Sequence, residues 1–335
     1  MRIRVVLLAA ASALLTVMPL ASAQTSEAGC VWSETPIPPA DIVGLPYVAG
    51  GTGQGDFAGF VQWVSPGGEF FKDMVLWNRD GSFGRKQQPP AGFTLTSAVD
   101  ENSSGTVLLY ATRPDEPGSE IFRYHGGHQG LGVYERLPRP EGFGAVTPVA
   151  INDRGDVLGE ADDKNGHSAP WLWPGDGGSP VTITLPADNS FIAADDLDND
   201  GTALLYLAKG SHLWRAGQVI PLATPEGYRL TSARSIRGGI VVGSARALDD
   251  VATYQGFLWI DPAKPQPIKD SAFGDFVTSG GMVVGRDPGF APAVWQHTTF
   301  VDTFPANGSP TAVFDDGSIL GARSGGYSVW RGACP

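Results

Sequence analysis

The chain has 335 residues with 35 acidic side chains against 23 basic ones, a net charge of −12, which argues against nucleic acid as a partner because phosphates demand a basic footprint. Forty-five glycines and 27 prolines leave few windows of helical periodicity and favour many short strands joined by tight turns. The expected class is all-β, in one domain, since propellers and barrels routinely exceed the usual domain size as single units.

Arg2 and Arg4 open the chain, an apolar run follows from Val5 to Leu20, and Ala21-Ser22-Ala23 gives the small-x-small pattern that a signal peptidase cuts. Residues 1–23 therefore read as an export signal and residues 24–335 as the mature domain, with a net charge of about −14. The expected location is secreted, periplasmic or cell-surface. No other apolar run approaches the roughly 20 residues of a membrane helix, so no membrane span is expected. The two cysteines are Cys30 and Cys334. In an exported chain they read as a disulfide holding the termini together. The alternative is lipidation of Cys30 after Ala28-Gly29, against which Glu27 stands where such a signal wants an apolar residue.

The stretch Val31-Trp32-Ser33-Glu34-Thr35-Pro36-Ile37-Pro38-Pro39-Ala40 has a proline-rich end but no strands before it. The rest of the chain repeats one pattern. An aromatic closes an apolar run at Trp77, Tyr124, Trp173, Trp214, Trp259, Trp295 and Trp330, at intervals of about 35 to 49 residues. Ahead of each lies another apolar run after a Gly-bearing turn, as in Val107–Tyr110, Ala203–Tyr206, Gly239–Gly243, Gly281–Gly285 and Gly317–Gly321. The first copy is the least regular, with a turn over 50–56, a second strand over 57–64 and an extended loop to Asp73. Proline-rich exits follow, such as Leu137-Pro138-Arg139-Pro140, where a missing N–H on an outermost strand costs no ladder bond.

Each copy supplies three strands and an exit strand, and Val181–Leu185 is the fourth strand of the third copy. After Trp330 only five residues remain, too few for a fourth strand. The expected architecture is a seven-bladed β-propeller closed by the N-terminal strand, which completes the last blade and removes open sheet edges. Such a ring places Cys30 beside Cys334, and a monomer is expected.

The most regular copy reads Ile151-Asn152-Asp153-Arg154-Gly155, Val157-Leu158-Gly159, Gly166-His167 and Trp171-Leu172-Trp173. It resembles the HAF-type repeat of bacterial exported proteins, with its asparagine turn, Val-Val-Gly and Gly-x-His-Ala-Phe-Leu-Trp. The other copies keep the turn, the Val-Val-Gly and the Leu-Trp but lack the histidine. The resemblance implies a propeller and export, and brings no activity.

Propeller geometry puts the second-to-third loops on the face that usually holds the pocket. The residue just past the second strand is basic in five copies, Arg113, Lys209, Arg246, Arg286 and Arg323, and is Glu160 in the third. One expectation is a cationic ring for a carboxylate, sulfate or phosphate held by arginine forks. The competing expectation is surface ion pairs with Asp115, Glu116, Asp162, Asp163, Asp249, Asp250 and Asp287, worth about 0 to 1 kcal/mol each. Asp196-x-Asp198-x-Asp200-Gly201 opens like a calcium loop, but Leu204 and Leu207 stand where a closing carboxylate belongs, so it reads as a strand turn. Arg154-Gly155-Asp156 lies inside a repeat turn, and His125-x-x-His128 is separated by Gly-Gly. No nucleophile elbow, phosphate loop or zinc-protease helix occurs, and neither a metal nor a cofactor is expected.

The expected role is a binding protein for an anionic small molecule, a glycan or another protein. The alternative is a polysaccharide lyase or glycoside hydrolase on the same face, with arginines neutralising a uronate carboxylate.

Overall fold

The repeat begins in its turn. Asn152 Oδ1 accepts from Arg154 N at 3.1 Å and Asp156 N at 2.9 Å, while Gly155 takes a φ of 82° and donates its N–H to Asn152 O. This reverses the chain between Phe143–Ile151 and Val157–Asp163, and Ser168–Trp173 and Val181–Thr182 complete an antiparallel sheet. The computed structural model describes residues 29–113, 118–250, 252–305 and 308–334. The export signal read over residues 1–23, and the acids Asp115 and Glu116, lie outside the described residues.

Seven such four-stranded sheets form a ring, a seven-bladed β-propeller. Six blades are continuous in sequence. In the seventh, Gly308–Val313, Ile319–Arg323 and Gly326–Ala333 are completed by Val31–Pro36, in register from Val31 opposite Ala333 to Pro36 opposite Ser328. Cys30 is disulfide-bonded to Cys334. Asp302 of the sixth blade accepts from Cys30 N at 2.7 Å and from Trp32 Nε1 at 3.3 Å, which fastens the incoming strand to its other neighbour.

Two details differ from the sequence reading. The third strand of the first blade is Phe70–Trp77, so the loop before it spans only Ser65 to Glu69. Trp63 stacks on Phe71 at 4.5 Å across this lengthened hairpin. The fourth strand of the third blade is limited to Val181–Thr182, because Ile183 turns inward and is 2% exposed.

The aromatic ruler has a physical cause. Trp77 donates its indole N–H to Pro38 O, Trp173 to Pro138 O, Trp259 to Ala223 O and Trp295 to Lys269 O, at 2.8 to 3.0 Å. Tyr124 donates instead to Gln87 Oε1 at 2.7 Å. Each of these aromatics fills the space between blades and hooks its one donor onto the exit segment of the blade before, satisfying a polar group that burial would otherwise strand.

Every inner strand carries an extra residue at one shared place in its pairing with the second strand, a β-bulge, and those of the third, fourth and fifth blades carry a second. At the shared bulge the extra residues are Ala49, Val99, Val149, Asp195, Arg234, Asp275 and Thr311, one from the inner strand of each blade, and all are at least partly exposed. Beside the bulge the inner-strand backbone crowds the second strand, which explains the recurring glycine there. A Cβ on Gly285 would lie 2.0 Å from Phe273 O, and one on Gly59 2.0 Å from Tyr47 O. Gly285→Ala is expected to cost about 1 to 3 kcal/mol in urea unfolding. Gly144→Ala, which meets only Asp162 O at 3.8 Å, serves as the neutral control.

Candidate functional site

The six residues singled out by sequence do not all line one cavity. Arg113 pairs with Glu120 at 3.5 Å and lies 4.7 Å over the Phe93 ring. Arg286 pairs with Asp275 at 3.9 Å, and Arg323 with Glu34 of the closing strand at 3.3 Å. Glu160 accepts from Ala194 N at 2.8 Å, and burial, with Asp162 nearby, raises its pKa. Lys209 pairs with the exposed Asp188. Asp163, Asp250 and Asp287, offered by sequence as partners for the cations, instead cap their own hairpin turns.

Lys209 and Arg246 share a cavity of about 530 Å³ between the fourth and fifth blades, on the loop face. Arg229, Tyr206, Tyr228 and Tyr254 line it with them. Arg229 stands on the inner strand Tyr228–Arg237 and Arg246 on the second strand Ile240–Ala247, directly opposite each other in register. Among the described residues neither arginine has an acidic partner, and Lys209 adds a third cation. Two of the tyrosines are held by neighbouring rings, Tyr228 edge-on to Phe257 at 5.2 Å and Tyr254 against Phe273 at 4.9 Å.

A second concavity, of about 270 Å³, lies on the axis at the opposite face, among the first-to-second turns. Arg237 lines it and donates to Leu197 O at 3.2 Å. Burial opposes its charge, but Asp196, Asp100, Asp153 and Asp315 outweigh this and raise its pKa. The acids here already have structural duties. Asp100 accepts from Ile151 N and Glu101 N, Asp153 from Ser103 N, and Asp315 from Ser279 N, each tying one blade or turn to the next. Burial lifts Asp100 to about 7 against the Ile151 N–H and Arg237. Further along the axis, Asp195 and Asp275 flank Arg234 from the two adjacent blades. Burial lifts Asp195 to about 7, with Arg234 pulling it down and Asp196 and Glu160 pushing it up.

The remaining motifs resolve into structure. Asp198 accepts from Gly238 N and Gly239 N of the next blade, Asp196 from Ile236 N, and Asp200 from Thr202 N. Among the described residues no group of three His, Cys, Asp or Glu side chains could hold a metal. Arg154 is spent on Asp156 at 2.5 Å. His125 meets Glu135 at 3.1 Å, whereas His128 meets Glu101 at 2.6 Å, so the two histidines serve different neighbours. Sequence reading missed Arg229 and the three tyrosines. For Arg229 and Tyr228 the signal is a count back from the Arg237–Ile240 hairpin, and two register shifts along that strand defeat the count; Tyr206 and Tyr254 lie on other strands, Ala203–Leu207 and Tyr254–Trp259.

No protein-family model matches the chain, and no curated protein is similar to it in sequence. Solved structures are similar in fold. An oligogalacturonate lyase from Vibrio parahaemolyticus gives a TM-score of 0.61 at 9% identity over 92% of this chain and 98% of that one. The β-propeller domain of the Trilobed protease from Pyrococcus furiosus gives 0.57 at 9% identity over 88% and 96%. Puromycin hydrolase gives 0.52 at 14% identity over 78% of this chain, which spans 44% of that protein. These likenesses show the fold alone. Among the described residues no helix is long and apolar enough to cross a membrane.

Proposed function

We propose that this protein is an exported binding protein that takes an anionic ligand, a small molecule or a glycan, in the cleft between its fourth and fifth blades. One observation carries the reading: Arg229 and Arg246 face each other across a strand pair with no acid between them, and Lys209 lines the same cavity. Like charges directly opposite on a sheet destabilise it, by about 0.2 to 1 kcal/mol. A bound carboxylate, sulfate or phosphate supplies the missing counter-charge through forked hydrogen bonds. The disulfide agrees with an oxidising compartment.

The test is retention of the oxidised protein on anionic ligands against Arg246→Gln. Loss of a charged hydrogen-bond donor is expected to weaken binding about tenfold or more. Unchanged affinity in that variant rejects the cleft.

An enzyme in the same cleft, a polysaccharide lyase or glycoside hydrolase, is the second reading. Tyrosines stand there beside cations, and removing a proton next to a carboxylate needs a base and a neutralising charge together. One neighbour of the same fold is named an oligogalacturonate lyase. Release of unsaturated product on incubation with acidic polysaccharides would favour it, and retention without turnover favours binding.

A further inference from the structure

We infer that the ligand of this cleft is an acidic sugar chain bearing uronate carboxylates, rather than a free inorganic anion; this rests on the anion-binding reading above. The three cations alone would suit any anion. The tyrosines separate the cases. Tyr206, Tyr228 and Tyr254 line the same cavity as Lys209, Arg229 and Arg246, so aromatic and cationic residues share one space. A phosphate or sulfate ion gains nothing from an aromatic face. A sugar ring offers both chemistries at once, an apolar face of C–H bonds to lie on a ring and a carboxylate in the plane for a guanidinium fork.

Size points the same way. A cavity of about 530 Å³ falls within the range of sites that enclose organic ligands, roughly 300 to 1,000 Å³. The rings are also set in place beforehand, Tyr228 by Phe257 and Tyr254 by Phe273, so little side-chain freedom is lost when a ligand lies against them. Leu248, 67% exposed at the rim, extends the apolar surface. Among the described residues only Lys209 of the three cations has an acidic partner, the exposed Asp188, which a ligand carboxylate can replace without baring a buried charge.

The protein surface around the cleft works with it. A net charge of −12 repels a polyanion in general, which leaves the cleft as the place where such a chain can settle and makes binding sensitive to salt.

The experiment is isothermal titration of the full oxidised chain, at low ionic strength, with four probes. These are short oligomers of galacturonic acid, the same oligomers as methyl esters, inorganic sulfate and inorganic phosphate. Arg229→Gln, Arg246→Gln, Tyr254→Ala and Tyr254→Phe are compared with the parent, and thermal melts confirm folding. The expected result is binding of the acid oligomers alone, weakened about tenfold or more by either arginine change. Tyr254→Ala is expected to weaken it about three- to tenfold, with Tyr254→Phe near the parent. If sulfate or phosphate binds as tightly as the oligomers, or if Tyr254→Ala leaves uronate affinity intact while the arginine changes abolish it, the sugar inference is overturned and the anion site stands. If no probe binds, or the arginine changes have no effect, the anion reading falls with it.

Discussion

Changing both Cys30 and Cys334 to serine is expected to lower the unfolding free energy by about 2 to 5 kcal/mol, read from urea denaturation, and to open the seventh blade before the other six. The bond closes a loop with a sequence separation of 304 residues, so the unfolded chain gains much freedom when it is lost. The folded side is equally exposed to the change. Val31–Pro36 is an outermost strand with most of its side chains in water, and little apolar burial holds it. What remains is its backbone pairing with Gly326–Ala333, the Asp302 contacts to Cys30 and Trp32, and Glu34, which accepts from Ser328 Oγ at 2.7 Å and pairs with Arg323. Surface contacts of this kind contribute about 0 to 1 kcal/mol each. Hydrogen exchange supplies the decisive readout: amides of Val329 and Arg331 should lose protection first. Equal exchange in all seven blades, with an unchanged midpoint, would show that the ring holds without its covalent closure.

His128→Gln should cost about 3 to 5 kcal/mol, more than any surface change, because it leaves a carboxylate stranded. The Glu101 side chain is 0% exposed and that of His128 6%, with Nε2 and Oε1 2.6 Å apart between the first two blades. Asn78 fixes one of the two ring protons: its amide donates to His128 O and presents Oδ1 to Nδ1 at 2.8 Å, so Nδ1 carries a proton, and opposite an ionised Glu101 the ring is an imidazolium. Burial pushes the Glu101 carboxyl up, against the hydrogen bond and charge of His128 that pull it down. Burial alone would lower the His128 pKa; the hydrogen bond and charge of Glu101, with Asp56, outweigh it and raise it. A folded-state value above the unfolded one means that the stabilisation is complete below about 6.5 and fades as pH rises through the raised value. Unfolding free energy should therefore fall on going from mildly acid to alkaline pH. His128→Gln should flatten that slope, and His128→Gln with Glu101→Gln should recover most of the loss. A single variant as stable as the parent at pH 6 would show that the pair carries no charge.

The ring was legible in the sequence because its two markers answer to local chemistry. The aromatic ending the third strand is there for a packing volume and, at Trp77, Tyr124, Trp173, Trp259 and Trp295, for a hook, and the Asn or Asp turn with glycine is there for its hydrogen bonds. Both leave a residue type at a fixed place. The N-terminal strand could be assigned to the last blade because Trp330 leaves no room for a fourth strand and Val31–Ala40 has no other blade to join. The cleft was only half legible. Lys209 and Arg246 were found because each ends a second strand, a position counted from a turn. Arg229 was not, because the bulges near Ala233 and Leu230 each shift the register by one residue, so a plain count from the turn does not put Arg229 opposite Arg246. The partners of the other cations were also hidden. Glu120 lies across the hairpin from Arg113, and Asp275 is the bulge residue of the strand paired with that of Arg286, whereas the acids offered from nearby in sequence are spent on their own turns.

The bulge has one more consequence. Its extra residue takes no part in the ladder, so the backbone pairing of the sheet does not depend on which side chain stands there, even where, as at Ala49, Val99 and Val149, that side chain packs against a core cluster. With one such position per blade, Ala49, Val99, Val149, Asp195, Arg234, Asp275 and Thr311 form a bore whose lining can drift, from apolar on one side to charged on the other, while the frame stays constant. The same scaffold can thus be re-lined one blade at a time, by selection or by design, without renegotiating its fold.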